Sequence, residues 1–455
     1  MLHPGLASLL ERIRELTRSG DHAELHGLLH PLHPSDIADI LAELDEDDRV
    51  TILVALAPEP ALAAEALAEM EWDEHPEEAL SPPHPEQIAP LVRQLSDDDA
   101  ADIIGELDPD DQARVLAALP RLDARDIRDL LSYHEETAGG LMTTELVAIN
   151  EDLDARDALE EIRRQAQDVG EFYNVFVVDG EQRLRGTLPL QALVTAPPGA
   201  RIAEVVDPDT ISVRPELDQE EVGRIIARYN LVALPVVDEQ GRLLGRITFD
   251  DVIDVIEAET TEDMLRFGGV SDVEEVRGGW QDAVRSRLPW LLVNLVTASI
   301  GAMVVVYFED TIARLTLLAA LMPVIAGTGG NTGTQALAVT IRRLALSRES
   351  TARRWSVVGK ELVVGSINGL AMGLVAGTVT LIIAVSIGET LMLAPVVMMA
   401  MWMNLTVAGF AGAFVPTILE RVGVDPAVAS SIFVTALTDM IGFFLLLGLA
   451  TRMLL

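Results

Sequence analysis

Apolar and polar positions follow three rhythms along the 455 residues. From residue 1 to 134 the apolar positions recur at helical spacing in short runs, punctuated by N-cap residues and prolines, which predicts a set of short helices. Two of these runs repeat. ADILAELDEDDRVTILVAL (38 to 56) and ADIIGELDPDDQARVLAAL (101 to 119) align at a spacing of 63, pairing Asp39 with Asp102, Leu44 with Leu107, Asp48 with Asp111 and Leu56 with Leu119. Each unit reads helix, acidic turn, helix, and stacking such pairs buries a shared apolar seam in a small superhelix.

From 135 to 249 the period shortens to that of strands. NVFVVDGEQRLRGTLPLQALV and ALPVVDEQGRLLGRITFDDVI align at a spacing of 59, matching Asp179 with Asp238 and Gly186 with Gly245. The unit is strand, glycine-containing turn, strand, helix. It resembles a tandem pair of CBS domains, α/β modules that bind adenine nucleotides or act as regulatory hinges. The second copy carries the T-x-x-D ending, Thr248 to Asp251, which touches ribose in nucleotide-binding members; the first has Pro189 and Ala192 there.

A helical run, FDDVIDVIEAETTEDMLRF, joins these modules to the apolar C-terminal region, with 250 to 268 as the connecting segment. Asp250, Asp254 and Glu257 share one face, and Asp251, Glu259, Glu262 and Asp263 extend the strip. Like charges at i, i+4 destabilise a helix by a few tenths of a kcal/mol per pair, and a bound cation reverses that sign. From 285 to 455 the pattern becomes apolar in blocks of about 20 residues, the length that crosses a bilayer. Five spans are expected, at 289 to 308, 315 to 341, 357 to 387, 391 to 419 and 426 to 451.

Charge separates the two halves. The chain carries a net charge of −39, yet residues 264 to 455 hold 12 acidic and 13 basic side chains, so all the excess acid precedes the spans. Such acidity disfavours nucleic acid, whose binding rests on Lys and Arg, and favours divalent cations. There is no cysteine, so thiolate metal sites and disulfides are excluded. The N-terminus lacks the basic start and apolar core of a signal peptide. Arg285 and Arg287 precede span one, and Arg342, Arg343, Arg348, Arg353, Arg354 and Lys360 crowd the link between spans two and three. The positive-inside rule then puts both in the cytoplasm, with the N-terminus inside and the C-terminus outside.

Candidate chemistry is concentrated in the spans. PVIAGTGGNTGTQ (323 to 335) is too rich in Pro, Gly and polar residues for a plain lipid-facing helix and is expected to break or kink, with Asn331 and Gln335 offering side chains to a cavity. Asn404, on one face of span four with Ala408, Gly412 and Pro416, is the further polar candidate to border a pore. Gly365, Gly369, Gly373 and Gly377 form a ladder for close helix packing. Asp439 lies deep in span five, sharing a face with Thr435 and Gly442. An aspartate at mid-bilayer costs about 2.5–3.5 kcal/mol on insertion scales and calls for a cation or a proton. His22, His26 and His30 lie four apart, a spacing open to a transition metal or to an exposed face. No phosphate-binding G-x-x-x-x-G-K-[ST] loop and no nucleophile with a base argue for an enzyme.

In combination, EETAGGLMT (135 to 143), PVIAGTGGNTGTQ followed by IRRLAL, and VDPAVASS followed by TALTD resemble the MgtE family of bacterial magnesium channels. The resemblance implies a multidomain membrane protein: a helical superhelical N-domain, tandem CBS domains, a connecting plug helix and a polytopic five-helix bundle in a homodimer. It implies that Asp439, with the Thr435 carbonyl, binds hydrated Mg2+ in the pore. It further implies regulatory Mg2+ sites at Asp251, Asp254, Glu259, Glu262 and Asp263, at Asp218 and Glu220, and at Asp98 and Asp102, with ATP as a second ligand of the CBS pair at Thr248 and Asp251. Asn230 stands where the family carries an Asp. Two other readings are a proton-coupled carrier of Co2+, Mn2+ or Ni2+, and a membrane-anchored CBS nucleotide sensor.

Overall fold

A computed structural model describes residues 4–70, 74–77, 90–121, 123–167, 169–170, 172–270, 279–346, 351–422 and 431–455. Arg348 and all of VDPAVASS before Ser431 lie outside the described residues. Contacts divide the chain into Met1–Glu259 and Thr260–Leu455.

The first unit begins with α1 (Pro4–Ser19), α2 (His22–Leu29), α3 (Pro34–Ala42), α4 (Glu46–Ala55) and α5 (Pro60–Ala68), followed by α6 (Asp97–Gly105), α7 (Pro109–Ala118) and α8 (Asp123–Leu130). The pair α3/α4 and the pair α6/α7 start and stop 63 residues apart. Ile37, Ile40 and Leu41 in one, and Ala100, Ile103 and Ile104 in the other, are the buried i, i+3, i+4 stripe of their first helices. The polar chemistry repeats as well. Arg49 Nε donates to the Leu41 carbonyl at 2.9 Å, and Gln112 Nε2, its counterpart, donates to the Ile104 carbonyl at 3.3 Å. Each bond satisfies a carbonyl that the end of a helix leaves without an intrahelical partner.

Two strand modules come next. In the first, β1 (Ala148–Asn150) runs parallel to β2 (Asn174–Val178), which pairs antiparallel with β3 (Leu184–Pro189). The helices α9 (Ala155–Gln165), α10 (Leu190–Thr195) and α11 (Ile202–Val205) complete it. The second contains α12 (Gln219–Tyr229), the antiparallel pair β4 (Ala233–Val237) and β5 (Leu243–Thr248), and α13 (Phe249–Gly268). A parallel bridge from Val213 to Val236 stands where β1 pairs with β2. The register shifts fall at equivalent places, Val177/Val178 and Val236/Val237. Glycine is required at Gly186 and Gly245 because a backbone from the other copy crosses there. A Cβ on Gly186 would sit 2.2 Å from the Asp207 carbonyl oxygen, and one on Gly245 would sit 2.7 Å from that of Thr143.

The second unit contains α14 (Trp280–Tyr307), α15 (Glu309–Arg314), α16 (Leu317–Leu346), α17 (Thr351–Ile387), α18 (Leu393–Arg421) and α19 (Ser431–Leu454). Among the described residues α14, α17 from Trp355, α18 and α19 are long and apolar enough to cross a membrane. Helix α16 has the length, 30 residues, but Gly, Thr, Asn and Gln dilute its apolar character. The expected break at PVIAGTGGNTGTQ does not occur, since α16 is helical throughout 323 to 335. The glycines serve close packing: a Cβ on Gly329 would meet Asn404, one on Gly330 would meet Thr435, and one on Gly333 would meet Val434. Tertiary packing here overrides a poor helix propensity. The α17 ladder lies against α18 as its spacing predicts, with Gly365 2.5 Å from the Leu405 carbonyl oxygen, measured from the Cβ it lacks.

Gly186→Ala is expected to lower the unfolding free energy by about 2–3 kcal/mol, read from denaturant melts of the full chain in detergent. Gly180→Ala, at a turn where no heavy atom lies within 4 Å of the added Cβ, is the control that stays near native. Equal melts for the two would contradict the backbone crossing at Gly186.

Candidate functional site

Carboxylates collect where α6 begins. Ser96 caps this helix, its hydroxyl accepting from the Asp99 N–H at 3.3 Å, so Asp97, Asp98 and Asp99 fall in the first turn, at the positive end of the helix dipole. Asp97 is spent on architecture. It accepts from the Thr143 and Thr144 hydroxyls and from the Thr144 N–H at 3.0 Å, tying α6 to the segment before β1. Asp98 is buried, and its Oδ1 has no hydrogen-bond partner. Burial, with Asp99 and Asp251 as charged neighbours, pushes its carboxyl well above the ordinary range. Partial loss of water, then Asp99 and Glu135, raise Asp102 to about 7 although its residue keeps exposed surface. The half-buried Asp99 is raised to about 6 by loss of water, against the Ser96 hydrogen bond, with Asp251 adding to it. Glu145, half-buried near Asp97, is raised to about 7, by loss of water first and then by Asp97.

Asp251 completes this cluster from α13. Thr248 is the N-cap of that helix, and the Asp251 carboxylate accepts from its N–H at 3.3 Å and from its hydroxyl, half of a capping box. The T-x-x-D ending thus shapes the start of α13 while delivering Asp251 to the acids of α6. Burial and Asp250 raise Asp251, against the Thr248 hydrogen bonds; burial and Asp251 raise Asp254, with Glu69 adding to it. The sequence-predicted acids Asp98, Asp102 and Asp251 are therefore brought together, while Asp254 has Asp251 and Glu69 as its acidic neighbours. Asp99 and Glu145 were missed, because nothing local in the run DDD tells which carboxylates turn inward.

The other predicted acids have local partners. Asp218 caps α12, accepting from the Glu220 N–H at 3.0 Å, and Glu220 pairs with Arg224. Gln219 donates to Glu259 at 2.7 Å, joining α12 to α13. Glu262 pairs with Arg266 one turn on, and Asp263 also lies within α13. Asn230 ends α12 in the left-handed conformation, at φ 51°, a position that suits Asn. Of the histidines, His26 and His30 both bond Glu59, at 3.0 and 2.8 Å, with stacked rings, while His22 stands at the start of α2. Among the described residues no three His, Asp or Glu side chains already enclose an ion position. The acid cluster concentrates charge without a direct-ligand cage, which suits an ion that keeps its water.

In the second unit Asp439 is half-buried on α19 and has no hydrogen-bond or ion-pair partner among the described residues. One turn earlier, Thr435 rests against Gly330, and its carbonyl accepts from the Thr438 hydroxyl at 2.9 Å. Asn331 and Gln335 are exposed, one turn apart on α16. Asn404, read from the sequence as bordering a path, has no exposed surface in the chain. Its Nδ2 donates to the Ile325 carbonyl at 3.1 Å, and Gly329 and Gly442 close around the amide. One buried acid escaped the sequence reading: Glu361, near the start of α17, lies 3.2 Å from Lys360.

Family comparisons cover most of the chain. A divalent cation transporter model, MgtE, matches residues 322–449, the MgtE intracellular N domain matches 32–136, and the CBS domain matches 138–199 and 202–258. The magnesium transporter MgtE of Thermus thermophilus is 36% identical over 449 residues, covering 97% of this chain and 98% of its own length. That of Enterococcus faecalis is 37% identical over 330 residues, 72% of each chain. The solved cytosolic domain of the Mg2+ channel MgtE in complex with ATP is 37% identical with a TM-score of 0.50, covering 54% of this chain and 99% of that one.

The raised carboxyls set a pH dependence. With these acids packed together, Asp102 and Glu145 titrate near 7 and Asp99 near 6, against about 4 when solvated. The folded arrangement therefore holds protons that an opened one releases, so its stability is fullest below about pH 4 and is lost as pH rises through about 6 to 7. Without divalent cation, the thermal midpoint of the cytosolic transition is expected to fall between about pH 5.5 and about pH 8. Asp102→Asn should flatten that slope and raise the midpoint at the alkaline end. A native profile without slope would contradict the crowding of these acids.

Proposed function

Because this chain belongs to the MgtE family, we propose that it is a Mg2+ channel or transporter whose path runs along α19 past Asp439, and that cytosolic Mg2+ closes that path by settling the acids around α6 and α13. The observation that carries the transport half is Asp439 itself, a carboxylate in an apolar helix with no basic or hydrogen-bonding partner among the described residues. Such a group needs a cation, and Mg2+ gives up water reluctantly, so it passes with its hydration shell held by oxygen acceptors. Asp439 and the Thr435 carbonyl supply acceptors on α19, and the exposed Asn331 and Gln335 of α16 supply further polar groups. A single carboxylate holds a doubly charged ion weakly, and a homodimer would bring a second to the same path.

For regulation, the donor set around α6 fits a hard cation. It consists of carboxylates, with no softer ligand, and includes the unpartnered Asp98 Oδ1. Asp98, Asp102, Asp251 and Asp254 would hold one such ion; Asp218, Glu220, Glu259, Glu262 and Asp263 are the acids for others. Bound Mg2+ supplies charge neutralisation there. The acids do the rest: without neutralisation their repulsion favours separation of α6 from α13, and a ligand that binds one arrangement better shifts the population towards it. Helix α13 then acts as the plug, since it leads from the second strand module toward the spans. ATP at the strand modules, by way of Thr248 and Asp251, is a second input. In the resulting orientation the first unit lies in the cytoplasm and the C-terminus lies outside the bacterial inner membrane.

In liposomes loaded with a fluorescent Mg2+ indicator and given no proton gradient, the native chain should carry Mg2+, and Asp439→Ala should fall to the level of empty vesicles. Native-like flux in Asp439→Ala would remove the transport reading. Separately, millimolar Mg2+ should protect α13 from limited proteolysis, and Asp251→Ala with Glu259→Ala should abolish that protection. Cleavage of the native chain that ignores Mg2+ would leave the acids merely solvated and end the gating half.

A further inference from the structure

The basic end of the helix bundle carries a feature that neither transport nor gating uses. Arg421 closes the last turn of α18, exposed, and its guanidinium carbon lies 5.0 Å from the centre of the Trp355 ring at the start of α17. No carboxylate pairs with Arg421 among the described residues. Trp355 is itself 39% exposed. Below it an aromatic column runs toward the apolar middle of the bundle: Trp355 to Phe414 at 6.1 Å between ring centres, then Phe414 stacked on Phe410 at 4.9 Å. Beside the column α17 is cut away. Gly359, one turn beyond Trp355, has no heavy atom within 4 Å of the place a Cβ would occupy. Leu362 and Val363, exposed at 40% and 54%, continue the apolar strip. Arg342 and Lys360 add positive charge at the same end of the antiparallel helices, and Glu361 and Glu420 are the acids there.

We propose that Arg421, Trp355 and the Gly359 notch form a binding site for one anionic phospholipid. The guanidinium lies over the Trp355 ring, and no carboxylate among the described residues takes its N–H groups. The N–H edge is the part which grips a phosphate oxygen pair through two parallel hydrogen bonds. The indole belongs at the level where headgroup meets acyl chain. An acyl chain then fills the notch at Gly359 and lies along Leu362 and Val363, with Phe414 and Phe410 as the adjoining wall. The helix C-terminus alone would explain a basic residue at 421, but not the open notch or the aromatic column aligned below it. Charge selects the occupant, because a zwitterionic headgroup offers the same phosphate with a cation beside it.

Native mass spectrometry of the full chain, with dioleoyl phosphatidylglycerol and dioleoyl phosphatidylcholine added separately, tests this. The native chain should retain the glycerol lipid in preference to the choline lipid. Arg421→Gln should lower that preference about fivefold, the contribution of one basic residue at an anionic surface. Gly359→Leu should weaken retention of both lipids by filling the notch, with melting unchanged. Should Arg421→Gln fail to fold, Arg421→Lys serves: it keeps the charge but loses the two-pronged grip, and is expected to fall between native and no preference. Equal retention of the two lipids by the native chain, or a preference untouched in both Arg421 variants, would overturn the site. So would displacement of the lipid by inorganic phosphate with Gly359→Leu binding as native does, since the ligand would then be the free anion.

Discussion

Negative charge without a built-in counter-charge is the constraint on which this molecule turns. Two unit charges about 6 Å apart, at an effective dielectric constant of about 20, repel by roughly 3 kcal/mol, a sizeable share of what holds an ordinary domain together. The first unit nevertheless packs Asp98, Asp99, Asp102 and Asp251 close enough to raise one another's carboxyls, and Arg246 is the basic neighbour acting on Asp251 and Glu145. Asp439 repeats the situation in an apolar setting. The carboxylates outnumber that one basic neighbour, and among the described residues no basic side chain pairs with Asp439.

The ways in which the two places tolerate this differ. Around α6 the acids sit at a helix N-terminus, so the backbone dipole offsets a part of the repulsion, and Asp97 accepts four hydrogen bonds from Thr143 and Thr144. The remaining acids form a marginal arrangement that protons or a cation can tip. Asp439 has no such cushion. Its surroundings are held instead by close helix packing, in which glycines on α16 meet Asn404, Thr435 and Val434. Under the proposed function, close packing around Asp439 suits conduction and a crowded acid cluster suits switching.

Much of this was legible in the residue order, and the legible part is what repetition or periodicity encodes. The spacing of 63 foretold two helix pairs, and its matched Leu44 and Leu107, Leu56 and Leu119 are buried. The spacing of 59 aligned Gly186 with Gly245, and both proved to be sites of backbone crossing. Illegible were features that depend on a neighbour distant in sequence. Nothing near Asp97 announces Thr143 and Thr144, and nothing near Asn404 announces that Gly329 and Gly442 will enclose it. The expected break at 323 to 335 erred for the same reason: glycines read as weakness in one helix are the contact surface of three.

Helix α13 shows how the two kinds of information combine. Its acidic strip is visible in the sequence, but its division of labour is not. Val252 and Val255 are buried in its first half, with Val252 and Ile256 against Gly223 of α12, whereas its last turns, past Glu259, belong with the second unit, where Phe267 packs near Leu337 and Val434. A helix uninterrupted over 20 residues is about 30 Å long. The carboxylates Asp251 and Asp254 occupy the half anchored in the first unit. Under the proposed gating, neutralising them would act on the half of α13 that is anchored in the first unit.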